Sequence, residues 1–200
     1  TIDKFVGDAV VAFWGAPISR ADDGEKAAAA AIAMYQAGEA FRVDLAGEDV
    51  PPIGMTRVGL HVGDAIVGNF GGEGRIQYTA LGDSMNTASR LESANKSLKT
   101  GVLISAEAAE RSGRDDLVPM GRVTLRGRAQ PVDVLTPRPD LPPEQRARIA
   151  ALVAAHAAGD KQAHVIAATA LAKDFGKDSS IMFLIERLNE TEKGESYVLS

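Results

Sequence analysis

Two β-prone runs separated by nothing but Gly7-Asp8 open the chain, and no other feature constrains the fold as tightly. Ile2–Val6 and Ala9–Trp14 are rich in β-branched and aromatic residues. A two-residue connection of this kind suits a tight antiparallel hairpin, with Gly supplying the positive φ and Asp a turn side chain. A second pair of runs, Thr56–Val62 and Ala65–Phe70, is divided by Gly63-Asp64 in the same manner, and reads as a second strand pair. Between the pairs, Asp22 and Asp23 offer an N-cap to an alanine-rich helix over residues 24–45. Ala30, Met34, Ala37, Phe41 and Leu45 form one stripe of that helix. Gly59, Gly63, Gly68, Gly71, Gly72 and Gly74 crowd the second pair, a density that predicts close approach of the backbone to something.

Further along, Ile76–Leu81 is a strand broken by Gly82, and Asp83 caps a helix running to about Ser97. Val102–Ile104 is a short buried strand, and Ser105 caps a helix through Ser112. Val118–Arg126 and Pro131–Thr136 complete a mixed α+β domain over residues 1–137. Pro137, Pro139, Pro142 and Pro143 then mark a linker at 138–143. Three helical runs follow in residues 144–200, broken at Gly159-Asp160 and at 176–180, with Ile149, Leu152, Val153, His156 and Ile181, Leu184, Ile185, Leu188 as apolar faces.

Composition excludes several chemistries. The chain contains no cysteine, which removes disulfides, thiol catalysis and Cys-ligated zinc and fits a reducing, cytoplasmic setting. Net charge is −5 without a Lys/Arg run, so nucleic acid is not an expected partner. The longest apolar stretches, Ala27–Met34 and Ile149–Ala158, fall short of the ~20 residues of a membrane span.

Several side chains have the chemistry of a phosphate-handling site, each with a plainer reading beside it. Asp8 on a hairpin tip is ordinarily a turn residue, but a carboxylate there also suits a hard cation such as Mg²⁺ held together with substrate phosphates. Lys4 lies on the same strand and shares a face with Asp8 if the register survives the turn. Asn86 and Arg90 stand four apart on one helix face; this is either a solvated polar pair or an amide and a guanidinium aimed at ribose and phosphate. His61 has no second His or carboxylate at ligand spacing and reads as structural.

Together these runs resemble the catalytic domain of class III adenylate and guanylate cyclases. Asp3-Lys4-Phe5-Val6-Gly7-Asp8-Ala9-Val10 is similar to that family's lysine-and-metal-aspartate hairpin. Arg57-Val58-Gly59-Leu60-His61-Val62-Gly63-Asp64 with Gly68-Asn69 is similar to its central strand pair. Tyr78 through Leu91 resembles its strand–turn–helix signature, and Val123-Thr124-Leu125-Arg126-Gly127 through Pro131-Val132 its closing hairpin. The resemblance implies a ferredoxin-like, palm-like fold and an adenylate cyclase making 3′,5′-cyclic AMP from ATP with two Mg²⁺ or Mn²⁺ ions at a homodimer interface. It implies Asp8 as a metal ligand, Lys4 and Thr79 as readers of the purine, Asn86 as the ribose contact and Arg90 as the stabiliser of the transition state.

Two departures accompany it. Arg126, with Arg128 near it, stands where the family usually has a phosphate-binding lysine. The family's first metal aspartate belongs well upstream of Asp8 on an opening strand that these residues do not contain, so the expectation is a catalytic domain cut at its front edge and inert alone, its parent carrying a sensor or membrane segment. The helical tail resembles a tetratricopeptide-type extension. The rivals are a degenerate cyclase domain that binds nucleotide or dimerises without catalysis, and a diguanylate cyclase, which shares the palm-like fold but whose Gly-Gly-Asp/Glu-Glu-Phe signature is absent from the hairpin.

Overall fold

The computed structural model describes residues 1–72, 74–126, 130–192 and 195–199. Its elements are β1 (Ile2–Val6), β2 (Ala9–Ala12), α1 (Asp23–Asp44), β3 (Val58–Leu60), β4 (Ile66–Gly72), β5 (Arg75–Leu81), α2 (Asp83–Leu98), β6 (Val102–Ser105), α3 (Ala106–Ser112), β7 (Leu117–Thr124), β8 (Val132–Pro137), α4 (Pro143–Ala158), α5 (Lys161–Asp174), α6 (Ser179–Glu190) and β9 (Tyr197–Val198). The α+β class is as expected from the sequence. A five-stranded sheet in the order β3-β6-β8-β7-β9 forms the centre, flanked by the antiparallel pairs β1-β2 and β4-β5.

The first hairpin closes at Val6 opposite Ala9, and Gly7 takes a φ of 63°, the left-handed backbone such a tight turn needs. The second strand pair is different from expectation. Residues 56–62 do not pair with 65–70: β3 runs parallel to β6, while β4 pairs antiparallel with β5 from Ile66–Leu81 to Gly72–Arg75. Gly63-Asp64 therefore lies in a connection between sheets rather than in a hairpin turn. The partner of β3 lies far along the chain, which a local Gly-Asp signal cannot report, while β4 pairs with the strand that directly follows it.

Helix α1 buries Ala27, Ala28 and Ala31, not the stripe of bulkier residues, and Phe41 stays 56% exposed. The reason is the closeness of the packing. A Cβ on Gly24 would stand 2.3 Å from the Arg111 carbonyl, and one on Gly38 2.1 Å from Thr56 Oγ1, so only small side chains fit on the face turned inward. The same physics explains Gly59. A Cβ there would meet the Ala88 carbonyl at 2.1 Å and the Glu92 nitrogen at 2.4 Å; the crowded glycine admits α2, which lies directly on β3. Asn95, fully buried, secures that contact: its Nδ2 donates to the carbonyls of Val58 (2.9 Å) and Leu91 (3.0 Å), and its Oδ1 accepts from Thr100 (2.8 Å).

One hydrophobic core runs from the sheet into the C-terminal helices. Leu91 and Leu98 of α2, Leu103 of β6, Val118, Met120 and Val123 of β7 and Val134 of β8 pack with Ile149, Leu152, Leu171, Ile181, Leu184 and Leu188 of α4–α6. Residues 138–143, expected as a linker, are part of this packing. Leu141 is buried in the same core, and Arg138 bridges Asp140 (2.8 Å) and Asp178 (2.9 Å) at the start of α6. The tail also completes the sheet, because β9 pairs parallel with β7. At this junction Arg187 is only 1% exposed; its Nη2 donates to the Met120 carbonyl, while Nε and Nη1 have no hydrogen-bond partner among the described residues. Burial pulls its pKa down to about 10.

Candidate nucleotide site

Strand β5 delivers two side chains to one face, Gln77 and Thr79, because residues two apart in a strand point the same way. Against them lies β1. Lys4 Nζ donates to Thr79 Oγ1 at 3.0 Å, and Gln77 Nε2 donates to the Asp3 main-chain carbonyl at 3.1 Å. Lys4 is half-buried and Thr79 buried, so an ammonium and a hydroxyl meet at the edge of a protected surface. A donor-only ammonium beside a hydroxyl that both donates and accepts sets two different hydrogen-bonding groups side by side.

Lys4 and Thr79 are thus brought together from 75 positions apart. The other four candidates are placed by different elements. Asp8 is exposed beyond the last ladder pair of the hairpin, so the turn does separate it from the register of Lys4. Asn86 and Arg90 occupy successive turns of α2, Asn86 exposed and Arg90 half-buried. Their helix is N-capped by Gly82 rather than by Asp83, which stands in its first turn, a negative charge suited to a helix N-terminus. Arg126 is exposed just past the end of β7; Arg128 lies outside the described residues.

His61 has a structural role: its Nδ1 meets Ser105 Oγ at 3.0 Å, and that hydroxyl also caps α3 by accepting from the Ala108 amide. Asp3 and Gln77 are the site's neighbours that the sequence reading missed. The period-two spacing of Gln77 and Thr79 was the available signal for one of them. For Asp3 there was none, since alternation along β1 assigns it to the face opposite Lys4.

Asp8 has the oxygen chemistry that a hard divalent cation takes, and such a cation needs one or two carboxylates plus phosphates. Among the described residues no group of three His, Cys, Asp or Glu gathers into a complete cage. The exposed Asp8 carboxylate is one oxygen donor of the kind such a cation takes. No helix among the described residues is long and apolar enough to cross a membrane.

Residues 3–135 match the family described as Adenylate and Guanylate cyclase catalytic domain. Over 135 residues the chain is 39% identical to Adenylate cyclase 1 of Rhizobium meliloti, covering 67% of this chain and 20% of that protein. Among solved structures it is similar to the adenylyl cyclase CyaB from P. aeruginosa (32% identity, TM-score 0.59, 71% of this chain and 74% of that one). It is similar too to the guanylyl cyclase Cya2 (31%, TM-score 0.57, 68% of each chain).

Proposed function

The chain belongs to the adenylate and guanylate cyclase catalytic domain family, and from that premise we propose that it serves an adenylate cyclase, forming 3′,5′-cyclic AMP and pyrophosphate from ATP. The observation that carries this reading is the Lys4–Thr79 hydrogen bond. It supplies a positively charged donor for adenine N1 and a hydroxyl able to accept from the 6-amino group. Guanine presents a donor at N1, which an ammonium cannot accept. The likeness to a guanylyl cyclase keeps guanine as the competing base.

In the reaction the ribose 3′-oxygen loses its proton and bonds to the α-phosphorus, the bond to the bridging oxygen breaks, and pyrophosphate leaves with the electron pair. Asn86 orients the ribose. Arg90 spreads its forked donors over the charge that develops at the phosphorus, and Arg126 engages the triphosphate. Asp8 would hold Mg²⁺ or Mn²⁺ with the phosphates, and such ions supply charge neutralisation there when bound. A two-ion site requires a second aspartate; among the described residues no group of three metal-ligating side chains gathers, so turnover would require a chain that supplies that second carboxylate.

Two subunits would build each site, with Asp8 from one and Lys4, Thr79, Asn86 and Arg90 from the other. The apolar side chains that both hairpins leave uncovered, Phe5 at 70% and Ile76 at 74% exposed, support such an association.

Turnover measured with ATP and GTP on a chain holding both aspartates tests the proposal. An unpaired buried polar group costs ~1–3 kcal/mol, so ATP should be favoured at least ~10-fold in kcat/KM. Lys4→Glu should erode that preference. Equal use of the two nucleotides by the parent refutes the reading.

A further inference from the structure

Asp3 has no assigned role, yet it is the most confined carboxylate beside the base-reading pair. Its side chain is completely covered although it precedes a partly exposed Lys4. Successive strand residues normally face opposite sides. Here the β1–β2 ladder shifts register between Ile2 and Lys4, and an irregularity of that kind re-aims side chains. Asp3 and Lys4 consequently turn toward the same strand, β5.

The carboxylate's partners are few. Oδ1 lies 3.5 Å from Gln77 Nε2, whose stronger bond goes to the Asp3 carbonyl at 3.1 Å. Oδ2 is buried and accepts no hydrogen bond from the described residues, and Lys4 Nζ stands 3.4 Å from it. A buried charge is tolerated when it is paired, and among the described residues the ion-pair partner of this carboxylate is the ammonium that also touches Thr79. Lysine's long stem carries ~2 kcal/mol of rotamer entropy, so a free Lys4 would sample many positions around the base edge. A fixed anion at its side removes that freedom before the nucleotide arrives.

We propose that Asp3 is a positioning residue for base selection: its buried carboxylate, braced by Gln77, fixes the Lys4 ammonium against Thr79 so that a single donor faces the purine. This rests on the reading of Lys4 and Thr79 as the base readers. Asp3 itself touches no substrate. Its effect is therefore on nucleotide preference rather than on phosphate chemistry.

Two measurements on this 200-residue chain separate the layers. In proton–nitrogen spectra of the lysine ammonium groups, Lys4 should give a signal slowed in exchange by its hydrogen bond, identified by its loss in Lys4→Met. That signal should vanish in Asp3→Asn; its persistence overturns the positioning role whatever the nucleotide result. Calorimetric titration with ATP and with GTP then reads preference. Asp3→Asn should weaken ATP binding by ~10-fold while changing GTP binding less than twofold, and should add nothing in a Lys4→Met background. Equal losses for both nucleotides, or additivity with Lys4→Met, mean a structural residue only. If Lys4→Met leaves preference intact, or the parent has no preference, base reading by Lys4 fails, and the proposal falls with it even if the ammonium signal behaves as expected. Should Asp3→Asn not fold, Gln77→Ala removes the brace and must weaken the same signal and the same preference in the same direction.

Discussion

Replacing Leu184 by Ala tests whether the C-terminal helices and the central sheet are one cooperative body. Leu184 is completely buried on α6, in the core that also contains Leu98 of α2 and Leu103 of β6. Truncation removes the transfer free energy of the buried methyl groups and leaves a cavity, together ~2–5 kcal/mol for a leucine of this kind. Every 1.4 kcal/mol is a factor of ten, so global opening should become ~30-fold to a few thousand-fold more populated. Native-state hydrogen exchange reads this residue by residue. If the core is shared, the slow amides of β6 and β8 must accelerate by the same free energy as those of α6, and urea unfolding must remain a single transition at a lower midpoint. Acceleration confined to α4–α6, with β6 and β8 as protected as before, would refute the single core and restore a separable tail behind a linker at 138–143.

Three further outcomes follow from particular contacts. Gly59→Ala should destabilise the fold by at least ~1–3 kcal/mol, the range of an overpacked core, because its Cβ would stand 2.1 Å from the Ala88 carbonyl; a urea midpoint equal to the parent's contradicts the β3–α2 approach. Burial, reinforced by the nearby His164 and Arg187 charges, lowers the His156 pKa. The folded state therefore binds fewer protons than the unfolded one just below the ordinary histidine range of ~6.5, and stability should fall as pH drops through that window. Asp140, held below its usual range by a hydrogen bond from Arg138, titrates at lower pH and leaves the window to histidine. His156→Gln should flatten the midpoint-versus-pH curve there, and an unchanged slope refutes the assignment. Finally, in a chain with both metal aspartates, Asp8→Ala and Arg90→Ala should each reduce turnover ~100-fold or more, yet recover activity on mixing. No recovery in a mixture shown to exchange subunits argues against shared sites.

Much of this molecule was legible from local pattern. The Gly7-Asp8 turn, the helix starting at the Gly82-Asp83 break, the Ser105 cap and the apolar faces of α4 and α6 all depend on residues within one or two turns of each other. Short-range rules of backbone conformation and periodicity apply to such features directly. The candidate site residues could be nominated only as a set, through family resemblance, because an aspartate, a lysine or a threonine alone has many uses. Tertiary structure decided the remainder. It gave β3 to β6, a strand far along the chain, and left β4 to pair with the strand that follows it, since the competition between such partners is settled by contacts outside any one local run. It turned α1 onto its alanines, because neighbouring backbones stand too close for larger side chains. It merged the tail into the sheet's core, because the faces of α4 and α6 bury more apolar surface there than a free tail can cover. And it swung Asp3 onto the side of Lys4 through a break in one ladder, a displacement of a single residue's direction that no period-two reading of the strand contains.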